Sequence, residues 1–491
     1  MSDAILKAWH RAKVAAIEGA VFRLLASASR QSDRTLIWLT HLLERVPRTE
    51  FQRQQLRQLR HLFEHKHPAI ETARRAFTQL HPNYQRRLIS NLFVGATWLG
   101  EATRREFAER EGFRPPFLIA ISPTMHCNLR CIGCYAGGYP WTDYLSFETL
   151  DRLLSEAKTM GIHFFVITGG EPFVRKDLFD LYEKHNDCSF LVYTNGTLIT
   201  EERVEQMLRL GNIGPAISIE GLQQETDTRR GQGVFDKIMR AMDLLRQAGV
   251  LFGFSGTVTR HNVDAFTHPD FIDLMIEKGC LFGWMFIYIP IGRDPDLELR
   301  PTPEQRDKMR QWSMQVRRSK PIFVADFWND GCLTGGCMSG GTLYLHINYR
   351  GDIEPCVFMQ FKSHNLVELY QQGQGLKDAL NSPFFQAIRR INRKDSNKLR
   401  PCPIIDHNEW LAEAIQETGA QPSYPGAETI VTELAPGVRA WAAEYAQLAE
   451  RAWNSGDYDF FKDPLNWATT YDDPELVKHL REEEKRDQTA A

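Results

Sequence analysis

The sequence predicts an α/β protein: a partial (β/α)6 barrel of the TIM type, with a helical domain ahead of it and further segments behind. Three observations predict this. From residue 117 onward, short apolar runs alternate with amphipathic helical stretches, the texture of parallel β/α units. Polar, glycine-rich motifs follow those runs, at the strand ends where parallel barrels carry their active sites. Residues 1–112 instead repeat apolar positions every three or four residues, a helical period. With 491 residues, 43% hydrophobic and 25% charged, the chain has core enough for roughly two to four domains.

In the leading segment the helical period runs through Ile17, Val21, Leu24 and Leu25, then Leu36, Ile37, Leu39, Leu42, Leu43 and Val46, with Pro47, Pro68 and Pro82 as punctuation. Residues 1–115 hold 20 Lys and Arg against 11 Asp and Glu. That balance suits peripheral contact of residues 1–112 with an anionic membrane surface, with no nucleic acid expected as partner. The competing reading is a helical domain packed on its neighbour. Strands are expected at 117–122, 163–168, 190–193, 216–219, 252–258 and 285–289, with helices between them, for example 146–160 and 235–248.

Directly after the first apolar run stand Cys127, Cys131 and Cys134, at spacing C-x3-C-x2-C. Three thiolates hold three irons of a [4Fe–4S] cube and leave the fourth open to another ligand. A zinc site would pair C-x2-C with a second pair of Cys or His. The triplet resembles the signature of the radical S-adenosylmethionine (radical SAM) enzymes, and the resemblance continues in order for about 170 residues. It implies the same barrel fold and an open iron that chelates S-adenosylmethionine. It also implies reductive cleavage to a 5′-deoxyadenosyl radical that abstracts hydrogen, and an external electron donor of flavodoxin or ferredoxin type. One departure is visible: the position before the third cysteine, usually aromatic in the family, is Gly133, and Tyr135 follows the cysteine instead.

The motifs after the other strands extend the resemblance. Gly169-Gly170-Glu171-Pro172 closes the second strand, and its glycines let backbone carbonyls approach a ligand. The resemblance implies that this turn binds the amino group of S-adenosylmethionine. Asn195 after the third strand, and Ser218 and Glu220 after the fourth, suit ribose hydroxyls, against the turn-and-cap reading of such residues. The resemblance implies that an arginine at this point pairs with the methionine carboxylate, with Arg230 favoured and Arg229 as the alternative. Arg293 in the loop after the sixth strand reads either as an anion contact or as a solvated arginine.

A second cysteine system follows residue 320: Cys332, Cys337, Cys356 and Cys402, spanning a predicted β-hairpin that turns at Arg350-Gly351. Its spacing resembles the SPASM or twitch domains that follow many radical SAM barrels. The resemblance implies one auxiliary [4Fe–4S] cluster on Cys337, Cys356 and Cys402, with Cys332 as fourth ligand or the fourth site left to substrate. A four-thiolate zinc site is the alternative. Cys188 and Cys280 read as core thiols, and the turn at Asp326 reads as a plain turn or as an acid–base group. Residues 404–491 hold 18 acidic against 7 basic residues and four tryptophans, so they read as helical and partly packed, with a disordered end.

The expected division is 1–112 helical, 113–320 barrel, 321–405 auxiliary cluster, and 406–491 acidic extension. Nine clustered cysteines argue for a reducing compartment and metal use. Residues 14–25 are broken by Glu18 and Arg23 and do not form a signal, so a cytoplasmic protein is expected, at most peripheral at a membrane. The expected function is hydrogen abstraction from an unactivated carbon of a hydrophobic metabolite or lipid. A peptide substrate, as in peptide maturation, and a non-catalytic iron–sulfur scaffold or sensor are the alternatives.

Overall fold

The computed structural model describes residues 27, 31–44, 50–137 and 144–462. The 14–25 stretch and the predicted disordered end lie outside them. Among the described residues, no helix is long and apolar enough to cross a membrane.

All six expected strands are present, β4 and β6 starting three residues earlier than expected: β1 (Leu118–Ile121), β2 (Phe164–Ile167), β3 (Ser189–Thr194), β4 (Ile213–Ser218), β5 (Gly253–Val258) and β6 (Phe282–Ile287), all parallel. The array then extends beyond the expected six. β7 (Phe323–Asp326) adds in parallel beside β6, and β8 (Tyr344–Ile347) adds in parallel beside β1. β9 (Asp352–Glu354) folds back antiparallel on β8, as the hairpin pattern predicts. The strand order β9-β8-β1-β2-β3-β4-β5-β6-β7 therefore places the segment carrying Cys332 and Cys337 between the last parallel strand and the first.

Local chemistry sets the connecting helices. Ser146 caps helix Phe147–Thr159 by accepting from the Thr149 amide, and Thr200 does the same for Glu201–Leu210. Leu150, Leu153, Leu154 and Ala157 bury one face of the first helix in the common core. Along β6, Gly283, Met285 and Ile287 are buried while Phe282, Trp284 and Phe286 are only partly so. The period of two sends the first set under the helices and the second into the barrel lumen.

The leading helices seat on the N-terminal ends of the strands. Arg104 donates to the Gly161 carbonyl before β2 (2.6 Å), Asn91 to Asn186 and Cys188 before β3, and Tyr84 to Ile213 in β4. The His81 amide donates to Gly249 before β5, and Arg75 reaches Cys280 before β6 and Pro321 before β7. Every strand entry from β2 to β7 is thus tied to this segment. Two of its basic residues, Arg75 and Arg104, are buried in doing so, which turns part of its positive charge inward.

The stretches after residue 320 are continuous with the barrel in space. β8 belongs to its sheet, and helix Ala435–Trp453 packs on helix Pro303–Ser319. Trp441 donates to the Pro301 carbonyl, and a fully buried Arg306–Asp406 pair bridges the two parts.

Candidate functional site

The loop after β1 is shaped by close backbone contacts. The Gly170 amide donates to Thr124 O and the Glu171 amide to His126 O, both at 2.9 Å. A Cβ on Gly170 would stand 2.3 Å from His126 O, and Gly169 holds φ +108, so this turn needs both glycines. Glu171 is wholly buried. Its carboxylate accepts from the amides of Phe173 (3.0 Å) and Asn195 (2.7 Å) and from Thr194 Oγ1 (2.8 Å). Burial raises its pKa, against those donors. The side chain therefore locks the turn to the end of β3, and the ligand-facing part is the glycine backbone. Pro172 opens the short helical turn that follows.

Cys127, Cys131 and Cys134 are half-buried on the loop so held. Cys127 Sγ lies 3.5 Å from the Leu129 amide and 4.0 Å from Asn195 Nδ2. Asn195 also donates to Asn128 Oδ1 at 2.8 Å, so it braces the cysteine loop from β3. Burial pushes the Cys127 thiol up to about 11 and raises Cys134 as well. Without a cation these thiols stay protonated, and a cluster that supplies positive iron would draw the protons off. No three of these cysteines have ligand atoms within 4.8 Å of one another, among the described residues, whereas a single tetrahedral zinc with bonds of about 2.3 Å needs closer sulfurs.

The opposite wall is cationic. Glu220, fully buried at the end of β4, accepts through Oε1 from Arg229 (2.6 Å) and from Arg230 Nε (2.8 Å), and through Oε2 from the Thr257 amide (3.3 Å). Arg230 extends to within 3.9 Å of Cys131 Sγ, and Arg229 lies 3.5 Å from Gly133 O. Burial opposes the Arg230 charge, but Glu220 outweighs it and raises the pKa. Glu220 thus anchors the two arginines. Ser218 and Ser255 lie side by side at 3.4 Å on β4 and β5. Tyr135, its phenol pushed up to about 12 by burial, bonds Thr168 Oγ1 at 2.7 Å. Arg293 is no solvated loop residue: its amide donates to Cys134 O and its guanidinium reaches Cys131 O.

The second system divides. Cys337, Cys356 and Cys402 line one cavity of about 160 Å³ together with Met338, Pro403 and Ile404. Burial pushes each of the three thiols up to about 12. Cys332 does not line that cavity: it sits buried in the short helix Gly331–Thr334, whose Gly331 presses against Lys398 O. Asp330, Leu333 and Thr334 beside it do line the cavity, so Cys332 stands on a bordering segment without being a lining residue itself. Asp326 is buried and accepts from Ser313 Oγ and Asn329 Nδ2, which makes it a turn anchor. Cys188 and Cys280 are fully buried, as read.

Between the two cysteine sets runs a band of aromatic rings. Phe358, two residues after Cys356, meets Tyr135, the neighbour of Cys134, at 5.5 Å, and Phe286 of β6 at 6.1 Å. It also contacts Trp328 at 5.0 Å, and Phe286 meets Tyr193 of β3 at 5.7 Å. Sequence reasoning missed a buried polar line nearby. Ser122 Oγ and His346 Nε2 are 2.7 Å apart, and His346 Nδ1 and Glu354 Oε2 are 2.6 Å apart, with Asn348 donating to Glu354 Oε1. All are sealed from solvent, so the line clamps β1, which leads to Cys127, to the hairpin that leads to Cys356. A histidine inside the short apolar strand β8, facing a glutamate at the end of the hairpin's return strand, was the available signal.

Residues 121–273 match the family model described as the Radical SAM superfamily. An AdoMet-dependent heme synthase of Oleidesulfovibrio alaskensis is 29% identical over 281 residues, covering 51% of this chain and 71% of that protein. The mycofactocin maturase MftC of Mycolicibacterium smegmatis is 29% identical over 262 residues, covering 50% and 66%. The crystal structure of Streptococcus suis SuiB bound to S-adenosylmethionine aligns with TM-score 0.49 and 18% identity over 61% of this chain and 75% of that one. Residues 121–273 are a radical SAM domain, the part of a radical SAM enzyme that works with a [4Fe–4S] cluster and S-adenosylmethionine.

Proposed function

We propose that this enzyme abstracts hydrogen from an unactivated carbon of an apolar metabolite or lipid, held in the aromatic band between two clusters. Bound at the site, the cluster and S-adenosylmethionine supply one-electron cleavage and the hydrogen-abstracting power. The chain's residues do the holding. Cys127, Cys131 and Cys134 ligate the first cluster. The Gly169–Gly170 carbonyls accept from the amino group, and Arg230, braced by Glu220, faces the carboxylate. Ser218 and Asn195 serve the ribose, and Tyr135 lines the approach. Cys337, Cys356 and Cys402 hold the auxiliary cluster of twitch type, whose fourth site is left to substrate. A flavodoxin- or ferredoxin-type donor delivers the electron.

The observation that carries this reading is the aromatic band itself. Phe358 packs on Tyr135 beside the first cysteine set and stands two residues after Cys356 of the second, so aromatic side chains connect the two sets. The relatives named as heme synthases support a non-peptide substrate. The relatives named as mycofactocin maturases favour the second reading, a peptide substrate. The test is anaerobic incubation with S-adenosylmethionine and reductant, followed by mass spectrometry of apolar extracts and of peptides. Loss of two hydrogen mass units, or a new bond, in an apolar molecule supports the first reading; modification confined to peptides replaces it with the second.

A further inference from the structure

A larger cavity, of about 630 Å³, lies at the other end of the barrel, between the strand entries and the leading helices. Its strand wall includes Phe164 of β2, Leu191 of β3, Gly214 of β4 and both Phe282 and Trp284 of β6. Its helix wall is helix Pro68–Gln79, which presents Ala69, Ala73 and Ala76, and the wide helix Leu88–Leu99, which presents Leu88 and Leu92. The three alanines stand at i, i+4 and i+7 on one face, where larger side chains would fill the space. The opening is not slack docking. Arg75 on the same helix is buried and bound to three carbonyls of the barrel, and every strand entry from β2 to β7 is tied down.

Size and chemistry both point to a ligand. The volume falls within the roughly 300–1,000 Å³ of small-molecule pockets. The lining is overwhelmingly apolar, so enclosed water would find few partners. Of the charged residues on it, Arg317 is already paired with Asp330 and donates to the Val324 carbonyl. Two large apolar side chains on the lining remain exposed, Phe93 at 52% and Phe323 at 55%. Tyr193 and Phe286 meet above Leu191 and Trp284, and Trp284 lines both this chamber and the cavity of the second cysteine set.

We propose that the base chamber holds an aliphatic chain, the tail of this enzyme's substrate. The inference rests on the apolar-substrate reading, and it is tested without turnover so that the two fail separately. Dansylated undecanoic acid is titrated into the full chain with its clusters reconstituted, in the absence of S-adenosylmethionine and reductant. Saturable binding with blue-shifted emission is expected. Displacement by palmitate or by geranylgeranyl diphosphate then tells an acyl from a prenyl source.

Ala76→Trp fills the chamber from the helix side and Leu191→Trp from the strand side. Each should weaken binding by roughly tenfold or more, with iron content and thermal unfolding checked alongside. Undiminished binding in folded variants overturns the proposal. Binding that appears only after removal of residues 1–26 also overturns it, and assigns the chamber to the chain's own N-terminal segment. Should both variants fail to fold, a diazirine-bearing fatty acid decides on the wild-type chain. Crosslinks to peptides covering 68–92 and 189–191 support the proposal, and crosslinks confined elsewhere overturn it. Probe binding with no apolar substrate in the turnover assay would leave the chamber standing and remove the substrate reading.

Discussion

The two cysteine sites of this chain are built by opposite means. The first lies on a half-buried loop that polar groups hold from three strands: the glycine turn after β2, Asn195 after β3, and the Glu220-anchored arginines after β4. The second is a small, mostly apolar cavity whose Cys356 and Cys402 are buried; its polar side-chain contacts are single hydroxyls, Tyr344 donating to Cys356 Sγ and Ser339 beside Cys337 Sγ. A site that must take up and release a charged cosubstrate needs fixed polar partners and access. A site that works on or beside an apolar substrate profits from exclusion of water. Thiols of the same kind are thus set in two different environments.

The largest expected effect breaks the first site alone. Replacing Cys127, Cys131 and Cys134 with Ala should lower iron from about eight to about four per chain and abolish formation of 5′-deoxyadenosine. Iron analysis with product chromatography checks it, and cleavage retained in that variant sinks the central reading.

Next comes the second site. Cys356→Ala should remove only the second cluster and loosen the region around 331–404, because ligands drawn from distant segments help fold it. Uncoupled cleavage should survive while turnover of the true substrate is lost. Cys332→Ala should keep both clusters, since that residue does not line the cavity. If Cys332→Ala instead costs four irons, the three-thiolate assignment is wrong; zinc found there after anaerobic purification would also refute it.

A smaller effect probes the polar wall. Glu220→Gln should leave iron content unchanged and raise the KM for S-adenosylmethionine by roughly tenfold to a hundredfold, the cost of about 1.5–3 kcal/mol for a charged hydrogen bond. An unchanged KM in the folded variant would show that the arginines need no anchor.

The smallest effect is on stability against pH in the metal-free chain. The Cys337, Cys356 and Cys402 thiols are raised to about 12 when folded, against about 8.5 in an unfolded chain. Their neutral form favours folding below the unfolded value, and that contribution is lost as pH rises from there toward the folded value. Melting temperature should fall across this window, and less steeply in Cys402→Ala. Cluster loading should flatten the slope, because metal-bound thiolates no longer titrate. Equal slopes with and without metal would contradict the burial of these groups.

Much of this was determined by the amino-acid sequence alone, because the relevant chemistry is local. Three thiols in eight residues, a glycine pair at a strand end and a period of two are readable without knowing what lies opposite. Thus β1 to β6, the first cysteine set and the Arg229-Arg230 pair were legible. Tertiary structure decided what depends on residues far apart in the chain. It turned Glu171 and Glu220 from ligand groups into anchors, because their partners sit on other strands. It left Cys332 off the lining of the cavity that Cys337, five residues on, shares with Cys356 and Cys402. It also paired β8 with β1 across more than two hundred residues, and placed Ser122, His346 and Glu354 in one buried line. Burial and long-range hydrogen bonding have no local period, so the sequence carries the parts and only the fold assigns their partners.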